Sequence, residues 1–143
     1  MRSWIPQYAV AVLVFCLVDL TWLTLVADDL YDERLGTLLA DEPNVAAAVA
    51  FYALFVAGLV HFVIHPAVRE ASWKRALLSG GFFGLVTYAA WDLTNLAVLE
   101  GFPASIVAID LAWGTFLAAS VSLATYAIVS LLPARWSQAG SAE

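Results

Sequence analysis

The chain has 143 residues, 63% of them hydrophobic and 13% charged, with a mean hydropathy of +0.86 and a formal charge of −6. Soluble domains are nearer half apolar and a quarter charged, and so small a core cannot hide this much apolar surface, so lipid must cover the remainder. The acidic balance, with a pI near 4.6, argues against nucleic acid as a partner.

The first apolar run covers residues 7–27, about the ~20 residues that cross a hydrocarbon layer. It is too long for a signal h-region and lacks a small-residue cleavage site after it, so it reads as a retained helix. Its Cys16, the single cysteine of the chain, offers neither a disulfide nor a thiolate metal site and reads as apolar filler. Residues 28–43 form an outer loop with six acids (Asp28, Asp29, Asp32, Glu33, Asp41, Glu42) against one arginine, Arg34. Within it Leu30, Tyr31, Leu35, Leu38 and Leu39 recur at helical spacing broken by Gly36, which predicts a short amphipathic segment on the outer surface. Its acids either form a plain solvated loop or concentrate cations at a site mouth.

The second span is expected over residues 44–64, with Pro43 starting and Pro66 stopping it. His61 and His65 fall at its cytoplasmic end without a matching third ligand, and read as interfacial histidines. Tyr52 lies in its outer half, and like Trp91 reads as a packing residue, with Tyr52 close enough to line a site. The third span is expected over 76–99, where Gly80 and Gly84 make a small-xxx-small pattern of close helix contact, inside the bundle or between protomers of a homo-oligomer. The fourth is expected over 104–128, between Pro103 and Pro133. Short connections make sequence neighbours antiparallel, so the predicted fold is a single all-α domain (1–143), an up-down-up-down bundle of four transmembrane helices. Arg2, Arg69, Lys74, Arg75 and Arg135 fall on one side and Arg34 on the other, which predicts cytoplasmic N and C termini. Trp4, Trp73 and Trp136 fall at the same cytoplasmic interface, where indoles prefer to sit.

Three aspartates interrupt the spans: Asp19, Asp92 and Asp110. A charge near the bilayer centre costs about 2.5–3.5 kcal/mol and turns inward or toward a water-filled cavity. At 1.5 Å per residue, Asp19 and Asp92 lie roughly 18 and 24 Å from the cytoplasmic face. Asp110 lies about 9 Å below the outer face, so roughly 21 Å from the cytoplasmic one in a layer ~30 Å thick. One slab in the outer half of the membrane holds all three. The wording around them repeats: Asp19-Leu-Thr-Trp22, Asp92-Leu-Thr-Asn95 and Asp110-Leu-Ala-Trp113. Residues three or four apart share a helix face, which adds Trp22, Asn95, Trp113 and Tyr88 to the candidate site and predicts a local hydrogen bond for Thr94. The echo between the first and third spans is compatible with a duplicated helix pair.

These words, with the Tyr-x-x-x-Asp-Leu-Thr-Asn-Leu run from Tyr88 and the Asp-Leu-Ala-Trp-Gly-Thr-Phe run from Asp110, resemble the bacterial family called domain of unknown function 2177. The resemblance spans about Tyr8 to Leu132 and falls on Asp19, Trp22, Tyr88, Asp92, Asn95, Asp110, Trp113 and Gly114. It implies a four-helix architecture in the bacterial inner membrane and supplies no activity.

Carboxylates crowded in low dielectric cannot all ionise, so at least one should hold a proton. That suits proton- or cation-coupled transport of a small molecule. It also suits acid–base chemistry on a lipid or isoprenoid, with Trp22 and Trp113 stabilising a carbocation. The third role is structural, an interhelical polar network that fixes helix register. No phosphate loop, nucleophile elbow or zinc motif is present, so neither cofactor nor metal is expected. The expected partners are membrane lipids and a small-molecule or lipid ligand.

Overall fold

A computed structural model describes residues 3–36 and 42–132. The expectations placed on Arg2, Leu38, Leu39, Asp41, Pro133, Arg135 and Trp136 lie outside the described residues, as do those on the side chains of Asp28, Asp29 and Asp32. Four helices are long and apolar enough to cross a membrane: α1 (Trp4–Ala27), α3 (Val45–Arg69), α4 (Trp73–Val98) and α5 (Ala104–Leu131). A short helix, α2 (Asp28–Leu35), follows α1 without a break. The spans are roughly 36–42 Å long at 1.5 Å per residue, enough for a layer ~30 Å thick with some tilt.

Local chemistry sets the helix ends. Asn44 caps α3, its side-chain oxygen accepting the Ala47 N–H at 3.0 Å. Ser72 caps α4, its hydroxyl accepting the Arg75 N–H at 3.3 Å. Both satisfy donors that the first turn of a helix leaves without partners. Pro103 stands just before α5, where its missing N–H costs nothing. α3 closes with Ala71 in the left-handed region at φ 50. There Ser72 N–H bonds Ala67 C=O at 3.0 Å and Ala71 N–H bonds Val68 C=O at 3.3 Å, the paired closure in which glycine is usual.

Pro66 does not stop the second span as expected. A wider, π-helical turn occupies Val60–Ile64, and Pro66 falls near the start of the α-helical register that resumes after it. The missing proline N–H is thereby placed where the ladder has already been interrupted, and the helix continues to Arg69. A second π-helical turn, Leu23–Ala27, ends α1.

α4 and α5 pack most closely. A Cβ built on Gly84 would lie 2.0 Å from the Gly114 carbonyl oxygen, and one on Gly80 2.7 Å from Ser122 Oγ. The small-xxx-small pattern therefore works within the bundle, where it lets two backbones touch. Phe15, Leu59, Ile64 and Leu117 fill the core beneath the aspartates. Leu13, Leu17, Leu25, Leu78, Phe82 and Leu131 point outward, as a bundle solvated by lipid requires. In α3 the inner residues Phe55, Val56, Leu59 and Val60 are buried, whereas Val45, Val49, Phe51 and Leu54 are exposed. The N-terminal half of α3 therefore stands away from the bundle. The chain is a multi-pass membrane protein.

Candidate functional site

α1, α4 and α5 each deliver one buried aspartate to the interior of the bundle. From α1, Asp19 accepts the Tyr52 hydroxyl at Oδ2 over 2.7 Å, and the Trp113 indole stands beside the same carboxyl. From α5, Asp110 accepts the Tyr31 hydroxyl at Oδ1. From α4, Asp92 is fully buried, and its carboxyl oxygens meet no donor among the described residues other than the neighbouring Asp110 carboxyl. The Asp92 and Asp110 carboxyls lie close enough to interact electrostatically.

Tyr88 stands among all three, within electrostatic reach of Asp19, Asp92 and Asp110. Its ring is seated on Gly114, where an added Cβ would come within 2.3 Å of Tyr88 Cγ. The glycine of the Asp-Leu-Ala-Trp-Gly run is thus required by the tyrosine facing it. Trp22 and Trp113 stack at 4.3 Å between centroids and 11° between planes. Each ring therefore has one face already occupied, and the Trp22 indole N–H is buried without a partner among the described residues.

Two cavities adjoin at Tyr31, Phe51 and Tyr88. The larger, of about 430 Å³, adds Thr87, Trp91, Asp92 and Asp110. The smaller, of about 290 Å³, reaches Asp19, Trp22, Tyr52 and Trp113. Phe51 and Trp91 are 48% and 65% exposed, so the larger cavity opens sideways between the N-terminal half of α3 and α4. Among the described residues no three carboxylate, imidazole or thiol groups come together to ligate a metal ion.

The aspartates, Trp22, Tyr88 and Trp113 from the sequence thus surround the two cavities. Asn95 lines neither; it lies one turn further along α4, its side-chain nitrogen buried without a partner among the described residues. Thr94 bonds back to the carbonyls of Ala90 and Trp91, as its position predicts. Tyr52 and Trp91 contribute more than packing, the first through its bond to Asp19 and the second as a cavity wall. His61 rests edge-on against Phe62. His65 instead turns inward, its Nδ1 3.3 Å from Oε1 of the fully buried Gln7.

Tyr31 is the residue that pattern reading places wrongly, on the outer surface. α1 and α2 form one continuous helical run, which carries Tyr31 back over the bundle to Asp110. The signal was available: neither glycine nor proline interrupts the chain between Ala27 and Leu35. Burial and the adjacent Asp110 carboxyl push the Tyr31 phenol above its ordinary value, so it stays a proton donor at any physiological pH. Beside it, Arg34 donates to the Ser105 hydroxyl, a second tie between α2 and the start of α5.

No curated protein and no solved structure matches the chain. A family model described as predicted membrane protein (DUF2177) matches residues 4–127. The match covers every aspartate, tyrosine and tryptophan around the two cavities, and the chain belongs to that family.

Proposed function

We propose that the protein is a proton- or cation-coupled transporter of a small molecule in the bacterial inner membrane, with Asp92 and Asp110 as its exchanging pair. The carrying observation is the Asp92 carboxyl: fully buried, facing no donor among the described residues except the Asp110 carboxyl beside it, and lining a cavity of about 430 Å³. An ionised carboxylate so placed has lost its water and gained at most that one acid as donor, which is unfavourable by several kcal/mol. It therefore carries either a proton or a cation drawn from outside the chain. Exchange of one for the other is the elementary step of coupled transport.

In this reading both termini are cytoplasmic and the cavities lie toward the outer face. With Cys16 replaced by alanine, a cysteine at Glu100 should react with an impermeant thiol reagent on intact cells, and one at Lys74 only after permeabilisation. The site is tested in nanodiscs by infrared difference spectroscopy across a pH titration. A protonated-carboxyl band that disappears on raising the pH, and is missing in Asp92→Asn, supports exchange at this residue. An unchanged band in that variant would refute it.

The sideways opening past Phe51 and Trp91 favours a second reading, an acid–base enzyme whose amphiphilic substrate enters from the bilayer. Such an enzyme turns over in detergent, whereas coupled transport needs a sealed vesicle.

A further inference from the structure

The larger cavity has walls that bear on the class of its ligand. Tyr31, Phe51, Tyr88 and Trp91 present aromatic rings, and Asp92 and Asp110 supply the acidic groups. One Asp110 oxygen already accepts the Tyr31 hydroxyl, while Asp92 faces no donor among the described residues except the Asp110 carboxyl, with which it can share one proton. A compact, strongly hydrated ion such as Mg²⁺ needs a shell of about six oxygens, which two carboxyls and phenols do not provide. An anion would meet two carboxyls and no basic side chain on these walls. A weakly hydrated, diffuse positive charge needs what is there, a carboxylate and several ring faces.

Resting on the exchange reading above, we propose that this cavity binds a lipophilic organic monocation, a protonated amine or a quaternary ammonium group, with Asp92 as its counter-ion. Trp91 and Phe51 stand at the opening toward lipid, so an apolar tail on the ligand can remain among acyl chains while its charged head enters. The acid-rich outer segment raises the local concentration of such cations. Proton and ligand compete for the same carboxyl. The titratable groups facing Asp92 are Asp110 from α5, Tyr31 from α2 and Tyr88 from its own helix, with Asp19 and Tyr52 across the adjoining cavity. Among the described residues no arginine or lysine lines either cavity, so the charge of the ligand meets there no competitor other than the proton.

The test uses the full chain in nanodiscs of one neutral lipid, with benzyltrimethylammonium as probe and neopentylbenzene, its uncharged isostere, as control. Empty nanodiscs give the partition background, and Trp fluorescence and calorimetry read binding. The cation is expected to bind, the isostere at least tenfold more weakly, and cation affinity to rise with pH by up to about tenfold per unit while one proton is displaced. Asp92→Asn should lose at least tenfold. Trp91→Leu, at an exposed position that leaves the core alone, should lose about threefold.

Equal binding of the two probes would overturn the cation assignment and make the cavity a plain apolar pocket. Binding of neither, with the Asp92-dependent infrared band intact, would overturn the ligand class and leave proton exchange standing. Loss of that band as well would remove the exchange reading itself.

Discussion

Tyr31 donates its hydroxyl proton to Oδ1 of Asp110 across 79 residues of chain, tying the segment beyond the first span to a carboxyl in the last. α2 is thereby a cover over the larger cavity, held at one end by covalent continuity with α1 and at the other by this bond. Replacing Tyr31 by phenylalanine should release it. Amide exchange across Asp28–Leu35 should speed up, and thermal stability should fall by about 1 kcal/mol, the usual worth of one buried hydrogen bond. Unchanged exchange would mean that Arg34 and apolar contacts suffice.

The same bond fixes a pH dependence. Burial and Asp110 hold the Tyr31 phenol above its ordinary value, so its contribution is complete below the point where a free tyrosine ionises, about pH 10. As pH rises past that point the unfolded chain loses a proton that the folded one keeps, and the contribution declines. Exchange rates in α2, corrected for intrinsic chemistry, should be flat from about pH 6 to 9 and rise above 10. A transition at lower pH would place the titration on the Asp110 end of the bond and not on the phenol.

The α4–α5 seam distinguishes glycines that look alike in sequence. Gly84→Ala drives a methyl group to within 2.0 Å of the Gly114 carbonyl oxygen, whereas Gly81→Ala finds its nearest neighbour at 3.5 Å. Unfolding in mild detergent should show Gly84→Ala destabilised by about 1–3 kcal/mol or more, and Gly81→Ala within roughly 0.5 kcal/mol of the parent. Equal effects would contradict the packing described.

Asp92 is expected to act against stability. Asp92→Leu removes a buried carboxyl that faces only another carboxyl and fills similar space with carbon, so the variant should be more stable by about 1–3 kcal/mol. It should also lose the pH-dependent carboxyl band. A destabilised Asp92→Leu would show that the acid is structural.

Ala71 offers a gain unrelated to function. At φ 50 its methyl group crowds the backbone, a cost of about 1–2 kcal/mol that glycine avoids. Ala71→Gly should therefore raise the thermal midpoint, with some of the gain offset by the freer unfolded chain.

Much of the fold was legible because lipid imposes a length on apolar runs, and because Pro43 and Pro103 stand just before the second and fourth spans. The aspartates were legible for the same reason: a carboxyl in such a run is costly and must turn inward. What helical spacing alone does not carry is the phase between helices. Tyr31 and Tyr52 read as surface and packing residues, because their partners are set by how α2 and α3 lie on the bundle. The extension of α3 through Pro66 was hidden too, since a π-helical turn has no marker residue comparable to glycine or proline.

The π-helical turn at Leu23–Ala27 has a consequence for chain length. Tyr31 follows Asp19 by twelve residues, which in an unbroken α-helix leaves the two side chains roughly 120° apart around the axis. A wider turn rotates less per residue, and so brings Tyr31 back toward the side on which Asp19 faces the bundle. The five residues act as a phase corrector between site and cover. Deleting one of them would let the run close as a regular α-helix with Tyr31 only about 20° out of phase with Asp19, whereas regular α-helix at the present length would swing it about 120° away. The wider turn is therefore what absorbs the extra residue between site and cover.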